Sequence, residues 1–231
     1  MKYSVCITYR NREEHLNIVV PRIVDYFAEK KALEAKFELE IIVAEQNDTK
    51  KFRKASLYNE AVKVATGDVL ILHDVDHYPV EGNYWDGVSD VYLPIRRTIF
   101  KKNDLTDRPF NDIPGGYRHF STEVDGDYYG GVITITKEAF YKINGFNPMF
   151  VGWGLEDSDF GKRMRIYNLD VIRSQNGLFY ALEHSDNGLP IEDANLQNNI
   201  QISNDCRSHL QMGINNQPST IKLVAPKHPL V

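Results

Sequence analysis

Ser4-Val5-Cys6-Ile7-Thr8 is a short apolar run at the start of the chain and predicts a first strand. Asn11 follows as an N-cap, with Glu13 and Glu14 in the next turn, which predicts a helix start. Residues 12–36 are amphipathic and predict a helical region that Pro21 kinks or divides. Residues 37–44 read as a second strand ending in the polar loop Glu45-Gln46-Asn47-Asp48. Residues 51–65 predict a helix that stops at Thr66-Gly67-Asp68. Val69-Leu70-Ile71-Leu72 is apolar on both faces, the pattern of a strand buried between layers. The first 80 or so residues therefore read β-α-β-α-β, half of a doubly wound α/β domain with a parallel sheet.

The later pattern is more mixed. Residues 91–101 look like strand, and residues 103–127 are polar, rich in Asp, Pro and Gly, and read as surface loop. Val132-Ile133-Thr134-Ile135-Thr136 alternates branched residues and predicts a strand. A short helix over 137–143 ends at Asn144-Gly145, and another helix starts near Glu156. A strand pair is expected at 170–173 and 177–183. From Ser185 onward the chain is amide-rich and weakly patterned, and Ser185-Asp186-Asn187-Gly188-Leu189-Pro190 reads as a mobile loop. There is no repeat, low-complexity tract or linker, so all 231 residues are expected to form one domain, with a nucleotide-binding half over about 1–80 and an acceptor-binding half over about 81–231.

Composition narrows the class. The chain is 42% hydrophobic and 26% charged, and its length allows a core without a disulfide or metal staple. A net charge of −5 argues against a protein held to nucleic acid by charge. Cys6 and Cys206 cannot make a disulfide scaffold or a four-cysteine zinc site. No apolar run approaches the ~20 residues a transmembrane segment needs. Met1-Lys2-Tyr3 leads straight into the first strand, so the expected location is cytoplasmic, with reduced thiols. Asn47-Asp48-Thr49 then matches a glycosylation acceptor by chance.

Several groups can carry chemistry. Asp74-Val75-Asp76 follows the buried strand, and ligands of open α/β sheets bind beyond the carboxyl ends of strands. Carboxylates at i and i+2 of an extended chain share a side and can hold a hard divalent cation, or can form a solvated acidic turn. His73 and His77 would face the other way and read as packing or loop residues. In Gly152-Trp153-Gly154-Leu155-Glu156-Asp157-Ser158-Asp159, the acids either cap a helix or present a general base, beside a Trp platform between glycines that suits a sugar face. Tyr128-Tyr129-Gly130-Gly131 is either a turn or a close-approach site for a ligand. Arg10 and Arg12 can meet a diphosphate or pair with local acids, and Phe52 and Arg53 can pack on a nucleobase or open a helix. A lone His184 at a strand end reads as structural on its own.

Taken in order, these pieces resemble the metal-dependent β-1,4-galactosyltransferase family, which has the GT-A fold. The resemblance runs from Thr8-Tyr9-Arg10-Asn11-Arg12 through Phe52-Arg53-Lys54-Ala55, Asp74-Val75-Asp76, Tyr128-Tyr129-Gly130-Gly131, Asn144-Gly145-Phe146 and Gly152–Asp159 to Glu183-His184-Ser185. It implies an α/β GT-A fold, with a mostly parallel central sheet and helices on both sides. The implied activity is inverting transfer of a hexose, galactose favoured, from a UDP-sugar to a saccharide hydroxyl of a glycan or glycolipid. Arg10, Arg12, Phe52, Arg53, Asp74, Tyr128, Gly131 and Trp153 would bind the donor. Asp76 and His184 would hold Mn2+, with Mg2+ an alternative. Asp157 would act as the base, Glu156 would orient the acceptor, and Trp153 would close over both substrates.

The sequence also departs from the family. A third metal ligand is expected two or three residues before His184, where Ala181 and Leu182 stand, and the preference for manganese is expected to relax. Asp125-Gly126-Asp127 replaces an aromatic acceptor contact, which points away from N-acetylglucosamine as acceptor. Tyr128 leans toward galactose, with UDP-GalNAc, UDP-glucose, UDP-xylose and UDP-rhamnose as alternative donors. Two competing classes are a non-catalytic nucleotide-sugar-binding module and a nucleotidyltransferase. The second needs a glycine-rich loop that Thr8-Tyr9-Arg10-Asn11 lacks.

Overall fold

The computed structural model describes residues 1–33, 37–81, 83–99, 117–118, 129–182, 194–216 and 222–224. In chain order these form β1 (Lys2–Tyr9), α1 (Glu13–Leu33), β2 (Glu38–Glu45), α2 (Lys54–Val64), β3 (Val69–Asp74), β4 (His77–Glu81), β5 (Val91–Ile99) and β6 (Tyr117–Arg118). They continue as β7 (Val132–Thr136), α3 (Lys137–Lys142), α4 (Glu156–Ile166), β8 (Val171–Ala181), α5 (Ala194–Asn204), a 3-10 turn (Cys206–His209) and β9 (Lys222–Val224).

One sheet runs β4-β8-β5-β7-β3-β1-β2-β9, with β6 paired to β5. β1 pairs in parallel with β2 and β3, and β5 with β8; the remaining pairs are antiparallel. Strands β1, β2, β3, β5 and β8 thus share one direction, as the crossovers through α1 and α2 require of the first three.

Period-two alternation divides the core. Val5, Ile7, Leu39, Ile41, Val43 and Ile71 face α1, where Val19, Ile23, Tyr26 and Phe27 cover them. Cys6, Ile42, Ala44, Leu70 and Leu72 face the opposite layer, built from Leu57, Tyr58, Ala61, Phe140, Phe160, Met164 and Ile202. Helices therefore cover both sides of the sheet, and the carboxyl ends of β1 and β3 open at one edge of the core. Arg163 is fully buried and ties the second layer together. Its Nε donates to Asp159 Oδ2 at 2.9 Å and its Nη2 to His209 O at 2.9 Å.

Four expectations change. Pro21 does not divide the first helix; α1 is a single element with Pro21 inside it, at the cost of one i→i−4 hydrogen bond. The second helix begins at Lys54 rather than residue 51, because Gln46 Oε1 accepts the Arg53 N–H at 2.9 Å and holds the preceding loop. The expected strand pair at 170–183 is the one strand β8, carried across its polar middle by a register shift against β5. The amide-rich tail contains a helix, α5, and a strand, β9. The loop expected at 185–190, and most of 103–127, lie outside the described residues.

Candidate active site and metal centre

β3 is buried over its length and delivers Asp74 to the sheet edge, where its N–H donates to Gly131 O at 2.8 Å. Two residues of α2, one turn apart, reach that carboxylate. Tyr58 Oη donates to Asp74 Oδ1 at 2.7 Å, and Lys54 Nζ lies 3.0 Å from the same oxygen. Lys54 also lies 3.0 Å from Asp157 Oδ2 and 3.4 Å from Glu156 Oε1. One ammonium thus joins the strand-end acid to the two acids that open α4.

The electrostatics follow from that geometry. Burial pulls the Lys54 ammonium down, but Asp157, Asp74 and Glu156 together push it well above its ordinary value, so it is charged. Burial drives Asp74 up, but Lys54, His77 and the Tyr58 hydrogen bond together outweigh it, leaving the carboxyl below its usual range. Asp157 goes the other way. Burial raises it, Lys54 opposes, Glu156 and Asp74 add to the rise, and it settles at about 7. Asp157 Oδ1 and Glu156 Oε2 are buried and receive no hydrogen bond from the described residues.

After Asp74 the chain makes a turn at Val75-Asp76 before β4 begins. The alternation expected of an extended segment therefore fails. Asp76 and His77 converge instead, with His77 Nδ1 2.7 Å from Asp76 Oδ1 and both side chains buried. His77 is buried as a packing residue would be, but its ring faces Asp76 rather than the other way. His73 does pack: it is fully buried, its Nδ1 is 2.8 Å from Asp74 O and its Nε2 3.1 Å from Tyr84 Oη. Burial lowers His73 to about 4, so it is neutral. Asp76 Oδ2 lies 3.2 Å from Arg12 Nη1. Ligand atoms of Asp74, Asp76 and His77 lie within 4.8 Å of one another, the one such group of three found among the described residues. Carboxylate oxygens with an imidazole nitrogen suit a divalent cation such as Mn2+, so the residues fit the metal that the sequence resemblance implies.

The Trp153 loop sits beside this cluster. Gly152, Gly154 and Leu155 have φ values of 78°, 99° and 72°, so the loop uses left-handed backbone at a non-glycine residue as well. Asn199, fully buried on α5, donates to Val151 O at 3.1 Å, Trp153 O at 3.3 Å and Gly154 O at 3.1 Å. The Gly152 N–H donates to Phe52 O at 2.8 Å. Trp153 itself is 55% exposed. All three acids lie in the first turn of α4, as a helix start favours; in addition Glu156 and Asp157 face Lys54, and Asp159 is paired to Arg163.

The structure thus brings together Arg12, Asp74, Asp76, Glu156 and Asp157, and links Gly131 to Asp74 and Phe52 to the Trp153 loop. The Arg10 guanidinium lies 6.0 Å from the centre of the Phe52 ring and donates to Lys50 O. Arg53 Nε is buried and has no hydrogen-bond partner among the described residues. Tyr128 and His184 lie outside those residues. Sequence reasoning missed Lys54, Tyr58, His77 and Asn199. The i, i+4 spacing of Lys54 and Tyr58 is a usable signal, since it puts both on one face of a helix starting beside the site.

The chain is similar to known proteins. A family model described as the N-terminal region of glycosyl transferase group 7 matches residues 1–85. One described as the N-terminal domain of galactosyltransferase matches residues 116–185. Beta-1,4-galactosyltransferase 6 of Homo sapiens is 32% identical over 201 residues, covering 81% of this chain and 45% of its own length. Beta-1,4-galactosyltransferase 5 of Sus scrofa is 30% identical over 186 residues, 75% of this chain and 40% of its own. A beta-N-acetyl-D-glucosaminide beta-1,4-N-acetylglucosaminyl-transferase of Lymnaea stagnalis is 29% identical over 193 residues, 81% and 35%. The chain therefore spans less than half the length of these relatives. The catalytic domain of Drosophila beta-1,4-galactosyltransferase 7, in complex with xylobiose, superposes with a TM-score of 0.65 at 20% identity, covering 98% of this chain and 95% of that one. That likeness shows a shared fold.

Proposed function

Because the chain has the GT-A fold and belongs to the β-1,4-galactosyltransferase family, glycosyltransferase group 7, we propose that it is a UDP-sugar-dependent glycosyltransferase that inverts the anomeric centre. The donor sugar in this reading is galactose and the acceptor is a saccharide hydroxyl. The observation that carries it is Asp157: a buried carboxyl raised to about 7, with Oδ1 unpartnered, one Lys54 away from Asp74.

A base poised near neutral pH takes a hydroxyl proton most effectively, provided one of its oxygens is not already hydrogen-bonded. Asp157 Oδ1 receives that proton while Lys54 keeps Oδ2 in place. Glu156 Oε2, likewise without a donor, accepts a hydrogen bond from a second acceptor hydroxyl. Trp153 offers a ring face to a sugar. Arg12 meets the diphosphate beside Asp76, Arg10 and Phe52 with Arg53 flank the nucleotide, and Tyr128 and Gly131 line the donor sugar. Asp76 and His184 would hold a Mn2+ or Mg2+ ion. When bound, it supplies positive charge against the charge that develops on departing UDP. Support for His184 is local: Leu182, two residues earlier, donates its N–H to Asp76 O at 2.7 Å. With the base opposite the leaving group, a single displacement turns an α-linked donor into a β-linked product.

One relative favours a second donor. The Lymnaea stagnalis protein is an N-acetylglucosaminyl-transferase, so UDP-N-acetylglucosamine belongs beside UDP-galactose in any panel. The test is UDP release from UDP-galactose, UDP-N-acetylglucosamine, UDP-GalNAc, UDP-glucose, UDP-xylose and UDP-rhamnose with Mn2+ and saccharide acceptors. Turnover that Asp157→Asn abolishes supports the proposal. Donor binding with no turnover on any pair favours a non-catalytic sugar-nucleotide-binding module.

A further inference from the structure

β8 flanks the acidic cluster, because its end pairs with the start of β4: His77 opposes Ala181, Tyr78 opposes Tyr180, and the Leu182 N–H reaches Asp76 O at 2.7 Å. Neither Ala181 nor Leu182 carries a ligand atom. On the opposing strand, at the same rung as Ala181, stands an imidazole. His77 is buried beside Asp76, with Nδ1 2.7 Å from Asp76 Oδ1, and its ligand atom falls within 4.8 Å of those of Asp74 and Asp76.

Two arrangements produce such a pair. In one, His77 only hydrogen-bonds a ligating carboxylate and orients it. In the other, both atoms bind the same ion. Adjacent ligands on a six-coordinate ion with bonds of about 2.1 Å stand about 3.0 Å apart, close to the spacing already present. Asp76 also has an orienting partner, since Arg12 Nη1 holds its other oxygen at 3.2 Å. Asp74, by contrast, is occupied by Lys54 and Tyr58, which leaves the cluster short of a free donor.

We propose that His77 is a direct nitrogen ligand of the divalent cation, binding next to Asp76 and filling from β4 the position that Ala181 and Leu182 leave without a donor. This rests on the metal-dependent reading of the site given above. An imidazole ligand favours Mn2+ over Mg2+, which reverses the relaxed selectivity expected from the loss of a donor on β8.

The experiment uses the full chain, stripped of metal, titrated with Mn2+ and followed by electron paramagnetic resonance. Pulsed measurements of the bound ion then count directly coordinated imidazole nitrogens. The wild type shows nitrogen coupling, and His184→Ala still shows it. His77→Leu has less than the wild type, and the double variant has none. Mn2+ affinity falls about 10-fold or more in His77→Leu. His77→Asn restores a hydrogen bond to Asp76 but carries no imidazole nitrogen, so its nitrogen coupling falls as in His77→Leu. Circular dichroism establishes that each variant is folded, and UDP release by the wild type is measured in parallel. A wild-type protein that binds Mn2+ and turns over, while His77→Leu keeps the full nitrogen coupling, overturns the ligand role alone. Full nitrogen coupling in His77→Asn does the same. A wild type that binds no Mn2+ overturns the metal-dependent reading together with it.

Discussion

Asp157→Asn removes a charge that the fold resists, and its effect on stability has a definite sign. Asp157 is buried and raised to about 7. In an unfolded chain the same carboxyl ionises in the ordinary range, near pH ~4. Between those two values the native protein holds a proton that the unfolded chain has lost. Stability from this group is therefore full at acidic pH and declines as pH rises toward 7, by just over ~1 kcal/mol per pH unit. The whole decline amounts to about 4 kcal/mol. Asparagine has the same shape and no charge, so the variant escapes it. Urea melts of wild type and Asp157→Asn, in chelator at pH 5, 6, 7 and 8, read this contribution as the pH dependence of the difference between the two proteins. The variant is expected to gain on the wild type steadily from pH 5 to 7 and then level off, while losing transfer activity. A difference that is flat with pH, or that moves against the variant, refutes the assignment of Asp157 as the raised carboxyl.

Lys54→Met strands three carboxylates around an apolar tip and is expected to cost about 3–5 kcal/mol in urea melts. Since Lys54 is what holds Asp157 down, the acid limb of kcat/KM moves to higher pH in any active fraction; an unmoved limb counts against the link. Gly161→Ala would place a Cβ 2.0 Å from the Tyr129 ring, which is buried with the Arg173 guanidinium 4.7 Å from its centre. The overlap outweighs the ~1 kcal/mol helix-propensity gain, and a net loss of about 1–3 kcal/mol is expected in thermal or urea melts. Asn199→Ala removes the donor to three loop carbonyls. It should cost about 1–3 kcal/mol and speed amide exchange over 151–155 relative to β1.

The parallel half of the sheet was legible because β1, β2 and β3 are apolar on both faces and separated by helical patterns. That pattern led directly to Asp74 at the sheet edge. What failed did so for local reasons. α5 was missed because its buried stripe, Leu196, Asn199, Ile202 and Ser203, includes polar members. Asn199 is buried to bond carbonyls rather than to avoid water, and hydropathy does not register that purpose. The strand pair expected at 170–173 and 177–183 is one strand, which runs through Ser174-Gln175-Asn176 with a register shift. His77 was placed on the wrong side because the alternation rule assumes an extended chain, and the turn at Val75-Asp76 ends that condition. Lys54 sat inside a recognised motif, yet its role depends on three acids up to 103 residues away in sequence, which only the fold brings together.

The account stands or falls on stereochemistry at the transferred sugar. Nuclear magnetic resonance of the product formed from UDP-galactose and Mn2+, with a saccharide acceptor or with water, reads the configuration of the newly made bond before it equilibrates. A β-configured product, absent with Asp157→Asn, is the result predicted by a single displacement with Asp157 as base. An α-configured product contradicts it.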